Sequence, residues 1–127
     1  MPIQRRRLLI VNNDEREATM LINLARSMEY EATSTWSGRD ALWTLSTDRF
    51  DLLLVDQHVA DMYVGDFINR VHVSSISPSI ILMKNRMGTP VKHDKSLGKC
   101  RAFEKEEFGK LVQELRTEAF ARSGRVN

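Results

Sequence analysis

The chain of 127 residues, 42% hydrophobic and 28% charged, has the size and composition of one globular domain with a single core. Its net charge of +2 neither requires nor excludes an acidic partner, and nothing in it favours nucleic-acid binding by this domain. No apolar run reaches the roughly 20 residues of a membrane helix, the run at 8–11 is too short for a signal peptide, and the lone Cys100 cannot form an internal disulfide, so we predict a cytoplasmic protein without a membrane span.

Short apolar runs without a polar break predict strands that are buried on both faces of a parallel sheet. The clearest runs are followed by polar residues, as expected where a strand ends at the edge of a sheet. Two further short segments, which are not unbroken apolar runs, complete a set of five. The predicted strands are 8–11, 30–35, 51–56, 80–83 and 100–104.

Apolar residues at helical spacing fill the segments between and after these strands. Strands that alternate with helices predict a parallel sheet covered by helices on both faces. We therefore predict an α/β domain of five strand–helix units over residues 1–121, with 122–127 as a frayed tail or truncated linker. The predicted helices are 16–28, 38–45, 66–73, one between Thr89 and Gly98, and 106–120.

Two groups of side chains are predicted to have structural roles. Arg5, Arg6 and Arg7 precede the first strand and are interpreted as a solvated flank, with phosphate contact as the alternative. Trp36 and Trp43 flank the start of the second helix, where packing between helix and sheet is the expected role and a partner site is the alternative.

Asp56 is the first candidate for a functional residue, because it ends the predicted strand 51–56. In open α/β sheets, ligands bind beyond the carboxyl ends of the strands. A carboxylate at this position serves as a nucleophile, as a metal ligand or as a hydrogen-bonding cap of the strand end. The residues of this strand do not by themselves choose among these three roles.

Four segments in chain order resemble the receiver domain of bacterial response regulators, the CheY-like family with the flavodoxin-like fold. They are 9–15 (LIVNNDE), 37–42 (SGRDAL), 50–56 (FDLLLVD) and Lys105, and the resemblance covers residues 7–120. It implies a doubly wound parallel sheet with strand order 2-1-3-4-5. It also implies a role in two-component (phosphorelay) signal transduction, in which a histidine kinase phosphorylates an aspartate.

The resemblance implies particular roles for individual residues. Asp56 matches the phosphoacceptor, and Lys105 matches the lysine that pairs with the phosphoryl oxygens. The other positions of the family pattern are changed here, which makes this a degenerate receiver, or pseudo-receiver. Asn12 and Asn13 stand at the acidic pair that holds Mg²⁺, Met83 at the hydroxyl that ends the fourth strand, and Ala102 at the switch aromatic, next to Phe103.

These substitutions predict weak Mg²⁺ binding at best, and no cofactor is expected. Mg²⁺ favours charged oxygen ligands, whereas a site built from Asn13, Asp56 and the His58 backbone carbonyl would carry one negative charge. With fewer carboxylates nearby, Lys105 is predicted to pair permanently with Asp56.

A register shifted by one residue would make Asn13 and Asp14 the pair and restore one carboxylate. The unshifted alignment is preferred, because Val11 ends the apolar run.

We therefore predict a non-enzymatic module that binds proteins without needing phosphorylation. The alternative is a receiver that is phosphorylated on Asp56 by a histidine kinase. A small α/β enzyme or nucleotide-binding protein is a third hypothesis, supported by fold analogy alone. The expected partner is a histidine kinase or a downstream effector, with a homodimer through the helix at 89–98, the last strand and the last helix as a further option.

Overall fold

The computed structural model describes residues 5–73, 77–84 and 100–123. In this part of the chain, five strands form one parallel sheet and four α-helices surround it. The helix predicted between Thr89 and Gly98 lies outside the described residues. The strands are β1 (Arg7–Val11), β2 (Glu31–Thr35), β3 (Leu52–Asp56), β4 (Ser79–Lys84) and β5 (Arg101–Glu104). The helices are α1 (Glu15–Ser27), α2 (Gly38–Thr47), α3 (Val64–His72) and α4 (Phe108–Ser123), with a 3₁₀ turn at Lys105–Glu107 before α4.

The sheet has the predicted strand order, β2-β1-β3-β4-β5, and all four pairings are parallel. The fold class is therefore confirmed. Because every strand runs in the same direction, the residues that follow the strands all lie at one edge of the sheet, which we call the carboxyl edge. α4 extends to Ser123, and the division of the chain at residue 121 stays a prediction.

Successive residues of each central strand point to opposite faces, which divides the core into two layers. One layer lies under α1 and α4, the other under α2 and α3, and this accounts for the unbroken apolar runs in the sequence. Strand residues of the first layer include Leu8, Ile10, Leu52, Leu54, Ile81 and Met83. Those of the second include Leu9, Val11, Leu53, Val55, Ile80 and Leu82.

Polar residues set where the first two helices begin. Asp14 accepts hydrogen bonds from the backbone N–H groups of Arg16 and Glu17, and Ser37 accepts one from Asp40. α3 begins two residues earlier than predicted, at Val64, because that side chain is buried in the core. No helix within the described residues has both the length and the apolar character needed to cross a bilayer.

Two predictions about surface residues are wrong. Trp36 and Trp43 do not pack between helix and sheet: α2 buries Ala41 and leaves Trp43 exposed, and Trp36, which precedes the helix, is exposed too. Arg7 is not a solvated flank either. Its guanidinium hydrogen bonds to both carboxylate oxygens of Asp48 and lies over the Phe50 ring, 4.7 Å from the centroid.

Tyr30 ties the end of α1 to α4 in the first core layer. Its side chain is buried, and its hydroxyl donates a hydrogen bond of 2.5 Å to the carbonyl of Leu115. Burial disfavours the phenolate, partly opposed by the charge of Arg6, and raises the pKa of Tyr30 to about 12.

We predict that stability falls with pH through this residue. Between its ordinary pKa of 10.0 and about 12, Tyr30 is ionised in the unfolded chain but protonated in the fold, so a rise in pH favours unfolding. Tyr30→Phe should cost about 1 kcal/mol at pH 8 and flatten this alkaline loss. Urea denaturation at pH 8 and pH 11 measures both effects, with Tyr63→Phe as the matched control. A Tyr30→Phe protein that loses stability as steeply as the parent would contradict the assignment.

Candidate functional site at the carboxyl edge of the sheet

Asp56 is the last residue of β3, and its side chain is 4% exposed. β3 alternates between the two core layers, which turns this carboxylate towards the α1 and α4 side. One carboxylate oxygen, Oδ2, accepts a hydrogen bond of 2.8 Å from the backbone N–H of His58 in the following loop. The other, Oδ1, lies 2.7 Å from the ammonium nitrogen of Lys105. Both carboxylate oxygens of this buried group therefore have a partner.

Lys105 follows β5 in the 3₁₀ turn and reaches across the end of β4 to Asp56. Its Nζ also lies 3.1 Å and 3.3 Å from the two carboxylate oxygens of Glu17. Burial acts to lower the pKa of Lys105, but hydrogen bonds and charge from Asp56 and then Glu17 outweigh it, so the pKa is raised. Lys105 is thus a charged bridge between two carboxylates.

Glu17 belongs to this site, and the sequence analysis did not identify it. It lies in the first turn of α1, three residues after the N-cap Asp14. An acidic residue at that spacing is typical of a capping box, and this provides a purely local explanation for it. The sequence could have indicated Glu17 through its place in the first helical turn after β1, because that turn lies near the carboxyl edge of the sheet.

Asn12 is buried directly after β1 and is held by two hydrogen bonds. Its side-chain oxygen accepts from the backbone N–H of Asp14 at 2.8 Å, and its amide nitrogen donates to Glu17 at 2.8 Å. This orientation is the one that presents a donor to the carboxylate, because the carbonyl oxygen would be repelled by it. Asn12, Glu17, Lys105 and Asp56 therefore form one continuous polar network.

Asn13 and Asp14 lie outside this network. The Asn13 side chain is exposed, and its backbone carbonyl accepts a hydrogen bond of 3.2 Å from the indole nitrogen of Trp36. Asp14 is also exposed, and its carboxylate caps α1. Of the two residues at the predicted acidic pair, the structure brings only Asn12 into side-chain contact with the Asp56 network.

Met83 pairs with Asp56 in the register of β3 and β4, and its side chain is buried in the first core layer. Phe103 pairs with Met83 on β5 and packs against the same layer. Ala102 is exposed and points to the opposite face of the sheet. Position 83 thus supplies a thioether to the core, and the aromatic ring of β5 is on Met83's side of the sheet.

The loop after Asp56 is joined to the start of α2. Asp61 accepts hydrogen bonds from the backbone N–H groups of Gly38, at 2.8 Å, and Arg39, at 3.1 Å. Desolvation acts to raise the pKa of this carboxyl group, but the two backbone donors outweigh it, and the pKa is lowered. Together with the bond from Trp36 to Asn13, this fixes both loops beside Asp56 against the beginning of α2.

Within the described residues, no histidine or cysteine side chain is bonded to the network. His58 is exposed, His72 ends α3 and is half-buried, and His93 lies outside the described residues. Cys100 is half-buried just before β5, and burial raises the pKa of its thiol to about 11. Among the residues described, no three His, Cys, Asp or Glu side chains are grouped so as to hold a metal ion.

We predict that Glu17 contributes measurably to the charge state of Lys105. Glu17→Gln removes one of the two carboxylates that raise the pKa of Lys105, so this pKa should fall. An NMR titration of the lysine side-chain carbons measures it, with Glu15→Gln as the control from the same helical turn. An unchanged Lys105 pKa in Glu17→Gln would show that the bridge to Glu17 is absent in solution.

Comparison with known proteins gives no match to the sequence among family models or curated proteins. Solved structures with the same fold are response regulator receiver domains. The CheY-like receiver domain from Methanospirillum hungatei JF-1 aligns with a TM-score of 0.79 at 15% identity, over 94% of this chain and 99% of the other.

Two further structures give the same result. The CheY-like receiver domain from Methylobacillus flagellatus aligns with a TM-score of 0.75 at 16% identity, over 88% of this chain and 99% of the other. The chemotaxis response regulator CheY4 of Vibrio cholerae aligns with a TM-score of 0.72 at 22% identity, over 88% and 99%. The chain therefore has the fold of the CheY-like receiver domains.

Proposed function

We propose that this chain is a response-regulator receiver module of two-component signal transduction that binds other proteins without phosphorylation of Asp56. The fold supports the first part of this proposal, and the Asp56 network supports the second. The observation that carries it is the Lys105 ammonium group, which contacts both Asp56 and Glu17. The cation of the pocket is already neutralised by carboxylates of the chain itself.

The donor set around Asp56 argues against a magnesium site. Mg²⁺ requires near-octahedral oxygen ligands and favours charged ones. Both carboxylates of the network contact Lys105, and the side-chain oxygen of Asn12 already accepts a backbone hydrogen bond. Asn13 offers only a neutral oxygen on an exposed side chain. We therefore propose that Mg²⁺ binds weakly at best and that no cofactor is needed.

Two features argue against efficient phosphorylation of Asp56. The Oδ1 oxygen of Asp56 is engaged by Lys105 at 2.7 Å, and the described residues include no set of charged ligands to hold a metal ion that would neutralise an incoming phosphoryl group. Met83 cannot donate a hydrogen bond to a phosphoryl oxygen, since its thioether has no donor hydrogen. The module is accordingly proposed to act by binding and not as an enzyme.

The second candidate function is a receiver that is phosphorylated on Asp56 by a histidine kinase. The observation in its favour is that Asp56 and Lys105 lie together at the carboxyl edge, where a lysine can pair with a phosphoryl oxygen. In either case the proposed partner is a histidine kinase or a downstream effector in the cytoplasm. Dimerisation through the helix predicted between Thr89 and Gly98, together with β5 and α4, remains a separate proposal.

The two functions predict different responses to Mg²⁺ with beryllofluoride, a mimic of the phosphoryl group. We expect no saturable change in the amide NMR signals of Asp56, His58 and Lys105. The pocket lacks the charged oxygen ligands that would hold Mg²⁺, and the mimic binds together with this ion. Incubation with acetyl phosphate, followed by intact-mass spectrometry, should likewise give no phosphorylated protein. Asp56→Asn is the matched control for any signal at other carboxylates.

Saturable NMR shifts at Asp56 and Lys105, or a phosphorylated species absent from Asp56→Asn, would establish the second function in place of the first.

Restoring the acidic pair should restore metal binding. In the double variant Asn12→Asp, Asn13→Asp, a carboxylate replaces the amide that donates to Glu17, so carboxylates gather beside Asp56 and repel one another until a cation binds. We expect at least ~10-fold tighter Mg²⁺ binding by calorimetry, which is about 1.4 kcal/mol. Asn69→Asp, on the exposed side of α3, adds a carboxylate away from the site as a control. If the double variant binds Mg²⁺ no better than the parent, the alignment of residues 12 and 13 with the acidic pair is wrong.

A further inference from the structure

Both tryptophans of the chain are exposed, one within α2 and one shortly before it. Trp36 precedes the N-cap residue Ser37, and Trp43 lies in the middle of the helix. They are 62% and 71% exposed. Indole rings carry a large apolar area, and tryptophan is enriched among the residues that dominate the energy of protein interfaces. This face of α2 therefore has the composition of an interface.

Two exposed residues of opposite charge flank Trp43 on the helix surface. An α-helix turns by about 100° per residue. Arg39, four residues before Trp43, therefore lies about 40° to one side of it, and Asp40, three residues before, lies about 60° to the other. We call the surface formed by Trp36, Arg39, Asp40 and Trp43 the α2 surface.

We propose that the α2 surface binds a second copy of this chain, with the two α2 helices side by side about a two-fold axis parallel to them. This symmetry places Trp43 of one copy against Trp43 of the other. It also brings opposite flanks of the two helices together, so that Arg39 of each copy faces Asp40 of the other. The result is an apolar seam with an ion pair on each side, the arrangement used by parallel coiled coils.

Charge complementarity selects a second copy as the occupant. A strongly acidic or strongly basic partner would be attracted by one flank of the seam and repelled by the other. In an antiparallel pair with Trp43 against Trp43, Arg39 would not face Asp40 of the other copy, because the two-fold axis then places each residue on the same flank as its own counterpart. The parallel two-fold arrangement pairs both charges. The segment 36–43 (WSGRDALW) contains the tryptophan of the seam and the two charged residues that flank it.

The α2 surface is held rigid by the hydrogen bonds at the start of the helix. The Trp36 indole donates to the carbonyl of Asn13, and Asp61 accepts from the backbone of Gly38 and Arg39. A preorganised surface loses less conformational entropy on binding. With a helix of ten residues at its centre, the interface falls below the standard size of about 1,600 Å², so the dimer is weak and dependent on concentration.

Sedimentation velocity over a concentration series tests the proposal in the intact chain, and tryptophan fluorescence tests the location. Because the chain has only these two tryptophans, association through the α2 surface should shift the emission to shorter wavelength and protect it from acrylamide quenching. Trp43→Ala should weaken the dimer at least ~10-fold. Met20→Ala, an exposed residue on the outer side of α1, should leave it unchanged. A parent protein that stays monomeric, or a dimer that Trp43→Ala leaves intact, would overturn the proposal.

Charge reversal tests the two-fold arrangement, and it does not depend on the tryptophans. Arg39→Asp or Asp40→Arg alone places like charges face to face and should weaken the dimer. The double exchange Arg39→Asp, Asp40→Arg should restore it, and a mixture of the two single variants should form a heterodimer. Failure of both the double exchange and the mixture to restore association would overturn the parallel arrangement. The argument uses α2 alone, so it stands whether or not Asp56 accepts a phosphoryl group.

Discussion

A buried carboxylate needs a partner, and in this protein the partner of Asp56 is the ammonium group of Lys105. The contact depends on the whole sheet. Asp56 ends β3, Lys105 follows β5, and the lysine side chain must cross the end of β4 to reach it. Glu17 then extends the contact to α1, which follows β1. One network thus joins elements on both sides of β3, all of them at the carboxyl edge.

The same network changes how the asparagines after β1 are understood. Taken alone, Asn12 is a neutral residue at a position where a charged one is expected. In the fold, the Asn12 amide donates a hydrogen bond to Glu17 in the first turn of α1. The carboxylate of Glu17 in turn contacts Lys105. The pocket therefore contains two carboxylates and one ammonium group. The Lys105 ammonium group is paired with both carboxylates, and this internal pairing is the physical basis for proposing a module that works without metal or phosphoryl group.

The beginning of α2 connects this network to the surface. The loop after β1 is bonded to α2 through Trp36, and the loop after β3 is bonded to it through Asp61. The start of α2 is therefore bonded to the loops that follow β1 and β3. Met83, in contrast, is enclosed by the core, and Ala102 has no side chain large enough to move. α2 is bonded to the two loops, whereas Met83 is bonded to the residue after Asp56 through its backbone carbonyl, which accepts from the N–H of Gln57 at 2.8 Å.

Much of the fold was determined by the sequence alone, and so was the location of the site. The apolar runs of β1, β3 and β4 predict buried strands, and the polar residues after them, including Asp56, must gather at one edge of a parallel sheet. These conclusions depend on short-range patterns, since the period of burial and the residue that ends a strand are both local properties. The strand order was implied by resemblance to a family, and the structure confirms it.

The tertiary structure decided which side chains meet. Glu17 has a local partner in the Asn12 side-chain amide, and only the approach of Lys105 from a distant strand gives it a second one. Trp36 and Trp43 are large apolar residues of a kind that usually packs in a core. Only the tertiary structure shows that both are exposed. Arg7 similarly pairs with Asp48 and stacks on Phe50, which lie some forty residues later in the chain. In each case the contact depends on distances between elements, and the periodicity within one element carries no information about them.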